Sequence, residues 1–377
     1  MTMFGDDMVS DPFGDDHKGK AAARADAVAM ADHRAADASA PYELVSRLVW
    51  KSLRSLGISG GKMLVIGQDP EVFAGVPASE RRLAPGASGG FAAQIPSDSW
   101  PHSGLQLRVF SDSSPRDERD VVFAVPHYSD VALHRSGAVE ARRVAQTLGI
   151  VGALANTEPG GYTVALTAKE VLDDPDREGR NLLAGLGELV GAVRFPSSAL
   201  RSDPGNEACV DLLLLRRHDG TPVQPHTFLP SRQHRIAGHP VRINEYYLDN
   251  PHHVLGRLGA DPSPWGPPEL TVVPSKRGLH AELSDALTNI VEYARYVGLT
   301  ANTEYSTDFG APIGLVPVDL PKNVQGVDLE AARARIEQLR ANRQHRDTNN
   351  QVPDKFGLER EPRTEPRLDS GPDVPGL

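Results

Sequence analysis

The sequence predicts an α/β fold: a mostly parallel sheet that ends in an antiparallel hairpin. Three observations carry this expectation. Short apolar runs bounded by charges or turn residues recur, the sharpest being Arg119-Asp120-Val121-Val122-Phe123-Ala124-Val125-Pro126-His127-Tyr128. Runs of this length and β-branched content read as strands buried on both faces of a parallel sheet. Helical spacing alternates with these runs as far as residue 189, the pattern of crossover helices. Finally, only a polar loop, Pro196 to Ala208, separates Gly191-Ala192-Val193-Arg194-Phe195 from Cys209-Val210-Asp211-Leu212-Leu213-Leu214-Leu215. No helix fits in that gap, so these two strands are expected to be antiparallel neighbours.

Taken in order, residues 1–40 are rich in Asp, Ala, Gly and His and lack a strong apolar stripe. They are expected to be largely disordered, with at most a frayed Ala-rich helix near 20–36. Leu44, Val45, Leu48, Val49, Leu53 and Leu56 recur at helical spacing, and Gly57 is a stop. Gly60-Gly61 turns the chain into a first strand at 62–67. Residues 74–118 are laden with Pro, Gly and Ser, and only Leu105 to Phe110 reads as a strand there. The second firm strand is 120–125. A helix follows over 138–155, then a turn at Pro159-Gly160-Gly161, a third strand at 162–167 and a helix over 177–189. Strands four and five are 191–195 and 209–215. After Arg216, an aromatic stretch from Ile243 to Leu248 reads as a short helix, and 280–297 as a long one. Residues 300–326 are irregular. Asp328 caps a charged helix to about Asn342, and the tail from Gln344 is too polar to pack.

Composition narrows the function. With 377 residues, 39% hydrophobic and 24% charged, the chain can bury a core. The 31 prolines and 35 glycines imply many turns. A net charge of −10 argues against a nonspecific grip on nucleic acid over the whole surface, though not against a local basic groove. The single cysteine, Cys209, excludes an internal disulfide and a cysteine-based zinc site. No apolar run approaches ~20 residues, and no signal pattern opens the chain, so a cytoplasmic protein away from membranes is expected.

Four stretches in order resemble one family. Leu48-Val49-Trp50-Lys51-Ser52-Leu53-Arg54-Ser55-Leu56-Gly57 leads into Gly60-Gly61-Lys62-Met63-Leu64. Pro159 to Leu172, Gly191 to Arg217 and Ile243 to Gly256 follow at similar spacing. Together they resemble the N6-adenine (amino-group) DNA methyltransferases, in particular the methylase segment of large methylase–helicase proteins of bacteria, plasmids and phages. The likeness runs from about Tyr42 to Leu299. It implies a Rossmann-like methyltransferase sheet over 41–217 and an accessory segment packed on it over 218–300. Beyond these lie an irregular stretch with the charged helix over 301–343 and a disordered tail over 344–377.

The resemblance also implies a site, and the chain departs from it. The family's catalytic tetrapeptide is Asn-Pro-Pro-Tyr or -Phe, whose Asn and Pro oxygens accept the hydrogens of the target amino group while the ring stacks on the flipped base. Here it is Val125-Pro126-His127-Tyr128, and Val125 has no acceptor. The cofactor loop carries Glu-Pro, then glycines, then Phe. Here Leu64, Gly67 and Phe73 match, Val65-Ile66 replaces Glu-Pro, and Asp69 and Glu71 replace glycines. A ribose-binding acid is expected about 20 residues further on, but no Asp or Glu occurs between Glu80 and Asp98.

Plainer roles stand beside these. Tyr128 reads first as a packing residue, and His127 as a base without a carboxylate partner. His234, His239, His252 and His253 have no helix-face ligand spacing, so no metal is expected. Asp203 to Glu207 is a substrate loop or an ordinary turn. Arg216-Arg217 is a phosphate contact or a solvated strand end, with the latter favoured, and Trp50 is a core anchor. Arg residues of the 331–343 helix alternate with Glu330 and Glu337, which suits a solvated or partner-facing helix. The expectation is a non-catalytic, methyltransferase-like binding or scaffolding module that needs no cofactor. Its partners would be DNA or a methylase or helicase protein of a mobile element. The alternatives are an active adenine N6-methyltransferase using S-adenosylmethionine, and a phage or plasmid structural protein that reused the fold.

Overall fold

The computed structural model describes residues 15–35, 39–83, 85, 88–95, 118–125, 132–197, 199–200, 208–220, 228–262 and 266–301. The expected strand at 105–110, the tetrapeptide residues Pro126, His127 and Tyr128, the loop 203–207, the helix from Asp328 and the tail lie outside the described residues.

The chain opens with helices α1 (Asp15–Ala35) and α2 (Ser39–Ser55). It continues through β1 (Lys62–Gln68), the single turn α3 (Pro70–Phe73), β2 (Ser88–Gln94), β3 (Arg119–Val125) and α4 (Ser136–Ala155). Then come β4 (Thr157–Ala168), α5 (Glu170–Asp173), α6 (Glu178–Ala184), β5 (Gly187–Arg194) and β6 (Val210–Arg217). The last part holds β7 (Ser231–Ile236), β8 (His239–Asn244), α7 (Glu245–Asp249), β9 (Arg257–Asp261), β10 (Glu269–Val273) and α8 (Leu279–Tyr296).

Six strands form one sheet in the order β2-β1-β3-β4-β6-β5. β1, β3 and β4 pair in parallel, β6 runs antiparallel to both β4 and β5, and β2 runs antiparallel to β1. Four of the six strands therefore point the same way. All five expected strands share this sheet, and the last is reversed beside 191–195 as its short link requires. Among the described residues, two separate antiparallel hairpins, β7–β8 and β9–β10, account for the remaining strands.

Strand alternation supplies two cores, since successive side chains leave opposite faces. Val121, Phe123 and Val125 enter the face covered by α2 and α8. Val122 and Ala124 enter the face that shares Ile150, Val151 and Leu154 of α4. On the first face Trp50 is fully buried, its ring 5.4 Å from Phe123, and its Nε1–H donates to Phe73 O at 2.8 Å. The anchoring role expected of Trp50 is what the packing shows. Gly57, at φ 105°, lets the chain leave α2 while Ile58 N returns to Leu53 O.

Several local expectations need correction. Within the stretch expected to be largely disordered, the Ala-rich helix is present as α1, whose Ala29 and Met30 pack with Leu133, Ala138 and Val139 and which a buried carboxylate also ties down. Asp26 accepts from His134 N at 2.7 Å and Arg135 N at 3.2 Å, just before α4, where a helix start favours negative charge. Pro159-Gly160-Gly161 is not a free turn but lies inside β4, where the pairing with β3 shifts register. The helix expected over 177–189 stops at Ala184, because Gly187 already pairs with Arg217. Arg216 is not solvated: it is buried, pairs with Asp219 at 2.6 Å and donates to Thr300 O. Arg217 pairs with Glu118 at 2.9 Å. β2 and both hairpins are additional elements.

The accessory segment docks on the carboxyl ends of β4 and β5. Asn244 caps α7 through its Oδ1, its backbone N–H donates to Asp173, and its amide donates to Leu172 O and Leu229 O. α8 lays Leu283, Leu287, Ile290 and Ala294 into the α2 core. Beyond it the chain is tied back, with Tyr162 OH donating to Leu299 O and Ala301 N to Leu56 O.

Candidate functional site

The crevice of an open α/β sheet lies beyond the carboxyl ends of its strands, where neighbouring strands lead off in opposite directions. Here that point is between β1 and β3. Gly67 stands opposite Val125 in the parallel ladder, so two residues marked by the resemblance do come together. Their contact is tight: a Cβ on Gly67, at φ 123°, would sit 1.9 Å from Val125 O. Val125 itself is buried among Phe123, Val65 and the rest of the α2-side core.

Past Gly67 the loop folds onto its own chain. Asp69 adopts a left-handed conformation, φ 46° and ψ 50°, and Pro70 starts α3. Glu71, 4% exposed, turns its carboxylate onto backbone N–H groups, accepting from Arg82 N at 2.9 and 3.1 Å and Leu83 N at 2.8 Å. Phe73 points away from the crevice into the aromatic layer, 5.3 Å from Tyr42 and 6.0 Å from Phe123. Leu64 lies mid-strand, three residues before the crevice, packed against the cores. Glu71→Ala is expected to destabilise the fold by about 1–3 kcal/mol, because two loop N–H groups lose their acceptor. Urea unfolding would measure it, and an unchanged midpoint would mean that the loop re-pairs with solvent at no cost.

The reversed β2 matters for the other half of the crevice. A parallel second strand needs a crossover of a dozen or more residues, usually a helix. Here α3 and one 3-10 turn, Ala78–Glu80, span the link, and β2 returns as a hairpin. Gln94, at the carboxyl end of β2, faces Lys62 at the amino end of β1. An acid at the end of this strand would therefore lie on the edge of the sheet opposite the crevice.

Charge gathers further along the same carboxyl edge, at the ends of β4 and β5. Glu170 pairs with Arg142 at 2.8 Å and with Lys169 at 2.8 Å. Burial alone would raise the Glu170 carboxyl, but Arg142 and Lys169 outweigh it and hold it well below the usual carboxylate range. Burial likewise works to lower Lys169, and Glu170 and Glu269 overcome it and raise it. Gln146 of α4 accepts from Thr167 Oγ1 and Ala168 N, bolting the end of β4.

Beside this lies a buried ionic knot. Arg194, fully buried, binds Asp211 through Nε at 2.8 Å and Nη2 at 2.7 Å. It binds Asp173 through Nη1 at 2.8 Å and Nη2 at 3.0 Å. Its guanidinium lies 4.1 Å from the Tyr247 ring centre. Burial would lower the Arg194 pKa, but the two carboxylates reverse that and keep it charged. Neither cluster belongs to the sequence-based site. The signal for the knot was present: Arg194 and Asp211 interrupt otherwise apolar strands, and a charge inside a buried strand requires a partner. Cys209 nearby is buried, and burial pushes its thiol up to about 11, far from the thiolate needed of a nucleophile.

Among the described residues no helix is long and apolar enough to cross a membrane. Searches of protein-family models, curated proteins and solved structures find no match to this chain.

Proposed function

We propose that the chain is a methyltransferase-like module that works by binding rather than by methyl transfer, with nucleic acid or a methylase or helicase protein as its partner. The reversed β6 between β4 and β5 supports the likeness, being the terminal antiparallel hairpin that the resemblance implies. One observation carries the non-catalytic half of the reading. The loop after β1, which in the family closes on S-adenosylmethionine, is closed by Glu71 on the N–H groups of Arg82 and Leu83. A cofactor carboxylate would meet Asp69 and Glu71 there instead of open glycine backbone, so the residues present do not fit that cofactor. The buried Val125 and the reversed β2 point the same way, since one removes the amino-group acceptor and the other the ribose acid.

Calorimetry with S-adenosylmethionine tests the proposal. No binding tighter than ~100 μM, roughly −5.5 kcal/mol, is expected. Tritiated methyl incorporation into duplex and single-stranded DNA should be absent for the wild type and also for Val125→Asn. Restoring one acceptor leaves no bound donor to attack, and positioning is worth up to ~7–11 kcal/mol of a bimolecular barrier. Incorporation by the wild type would overturn the proposal. Incorporation by Val125→Asn alone would show a working cofactor site.

A further inference from the structure

The 3-10 turn Pro251–His253 brings two adjacent histidines against α8. His252 Nε2 lies 2.8 Å from Asn289 Oδ1, and His253 Nε2 lies 3.0 Å from the same oxygen. The two imidazole rings are 4.3 Å apart, centre to centre. Behind them His253 Nδ1 is 2.7 Å from the Tyr246 hydroxyl, which also accepts from Ala192 N at 2.9 Å. His253 and Tyr246 are buried, whereas His252 and Asn289 face solvent.

The geometry points to a transition-metal site of the zinc class, with His252 Nε2, His253 Nε2 and Asn289 Oδ1 as protein ligands and solvent completing the shell. Bonds of about 2.0–2.1 Å at tetrahedral to octahedral angles place neighbouring ligand atoms about 2.9–3.4 Å apart. The two N···O separations, 2.8 and 3.0 Å, fall just below and at the short end of that range, so the Asn289 amide must shift outward to admit an ion between the three atoms. Imidazole selects zinc, copper or nickel over magnesium or calcium.

The proton inventory also balances. Without an ion, each neutral ring keeps its proton on Nε2 and donates it to the amide oxygen, which has two lone pairs. With an ion, each Nε2 lone pair goes to the metal and the proton moves to Nδ1. On His252 that N–H meets water. On His253 it meets the Tyr246 oxygen, which accepts it beside the Ala192 N–H while the Tyr246 O–H loses Nδ1 as its acceptor, a cost that metal binding must outweigh. Tyr246 would then be the outer partner that orients a metal-bound histidine. Sequence spacing could not show this, because two consecutive histidines converge only on a third residue 36 positions from the nearer one. The group also holds only two of His, Cys, Asp or Glu, with an amide completing it.

This inference is independent of the methyltransferase likeness. Its test is calorimetry of the metal-free, full-length protein with zinc chloride, alongside magnesium chloride. One zinc per chain, bound tighter than about 100 μM, is expected, with no magnesium signal. His252→Ala and Asn289→Ala change solvent-facing side chains, so both should fold. Each should weaken zinc binding by at least about tenfold, the scale of losing even an outer-shell partner. Zinc should raise the melting temperature of the wild type clearly more than that of either variant. Zinc binding of undiminished strength in the two variants, or none in the wild type, would overturn the site.

Discussion

Arg194→Ala is expected to lower the stability of the fold by about 3–5 kcal/mol, the cost of leaving buried charge without its counterion. Two carboxylates depend on this one guanidinium. Asp211 has no exposed side-chain surface and Asp173 only 6%. Removing Arg194 would leave Asp211 on the apolar face of Cys209 and Leu213, and leave Asp173 with the backbone N–H of Asn244. The loss should also loosen the accessory segment, because Asp173 and the neighbouring Leu172 carbonyl are where Asn244 is seated. Urea unfolding at neutral pH gives the measurement, with Asp173→Asn/Asp211→Asn/Arg194→Met as the companion variant. Taking out all three charges should recover much of the stability, because an apolar or neutral set of similar volume carries no desolvation cost. A midpoint for Arg194→Ala within about 1 kcal/mol of the wild type would show that water reaches the knot, since a solvated pair is worth about that little.

Gly67→Ala is expected to cost about 3 kcal/mol or more, through a strained positive φ added to an impossible contact with Val125 O. The added methyl cannot be relieved by a side-chain rotation, because the obstacle is backbone on the neighbouring strand. β1 and β3 would have to part at their carboxyl ends, where the crevice is. The result separates two roles for this glycine. Were it only a cofactor-loop glycine, substitution would affect ligand binding and leave the melt nearly unchanged. If it closes the β1–β3 seam, the thermal melt should fall by many degrees with no ligand present.

That glycine also shows what was readable in the chain. Position 67 could be marked from the sequence, but its reason could not, since the contact with Val125 spans 58 residues and exists only in the ladder. The five core strands were legible because burial on both faces leaves an uninterrupted apolar run, as in Val121 to Val125. The order of the last two followed from the short link between them. β2 was not legible: Ser88-Gly89-Gly90-Phe91-Ala92-Ala93-Gln94 has little β-branched content, and its strand state comes from pairing with β1. β7 and β8 are half exposed and carry Arg232, His234, Arg235 and Arg242, so no apolar run marks them. Of the residues around the crevice, Gly67, Asp69 and Val125 were marked from the sequence. The loop's closure by Glu71 and the knot around Arg194 were not, because both depend on partners brought in from elsewhere in the chain.

The return of the described chain to α2 sets a timetable for its own synthesis. The apolar side of α2, with Trp50, Leu53 and Leu56, leaves the ribosome well before its cover, α8, the last described helix. At about 5–20 residues per second, roughly 10–50 s separate the two. β5 meets a shorter delay, a few seconds at that rate, since it reaches β4 only through β6, the next strand made after it. Nascent chains of intermediate length thus carry a bare hydrophobic flank and a sheet with one place unfilled. That interval, rather than the finished fold, is when this protein is most exposed to aggregation and most open to chaperones.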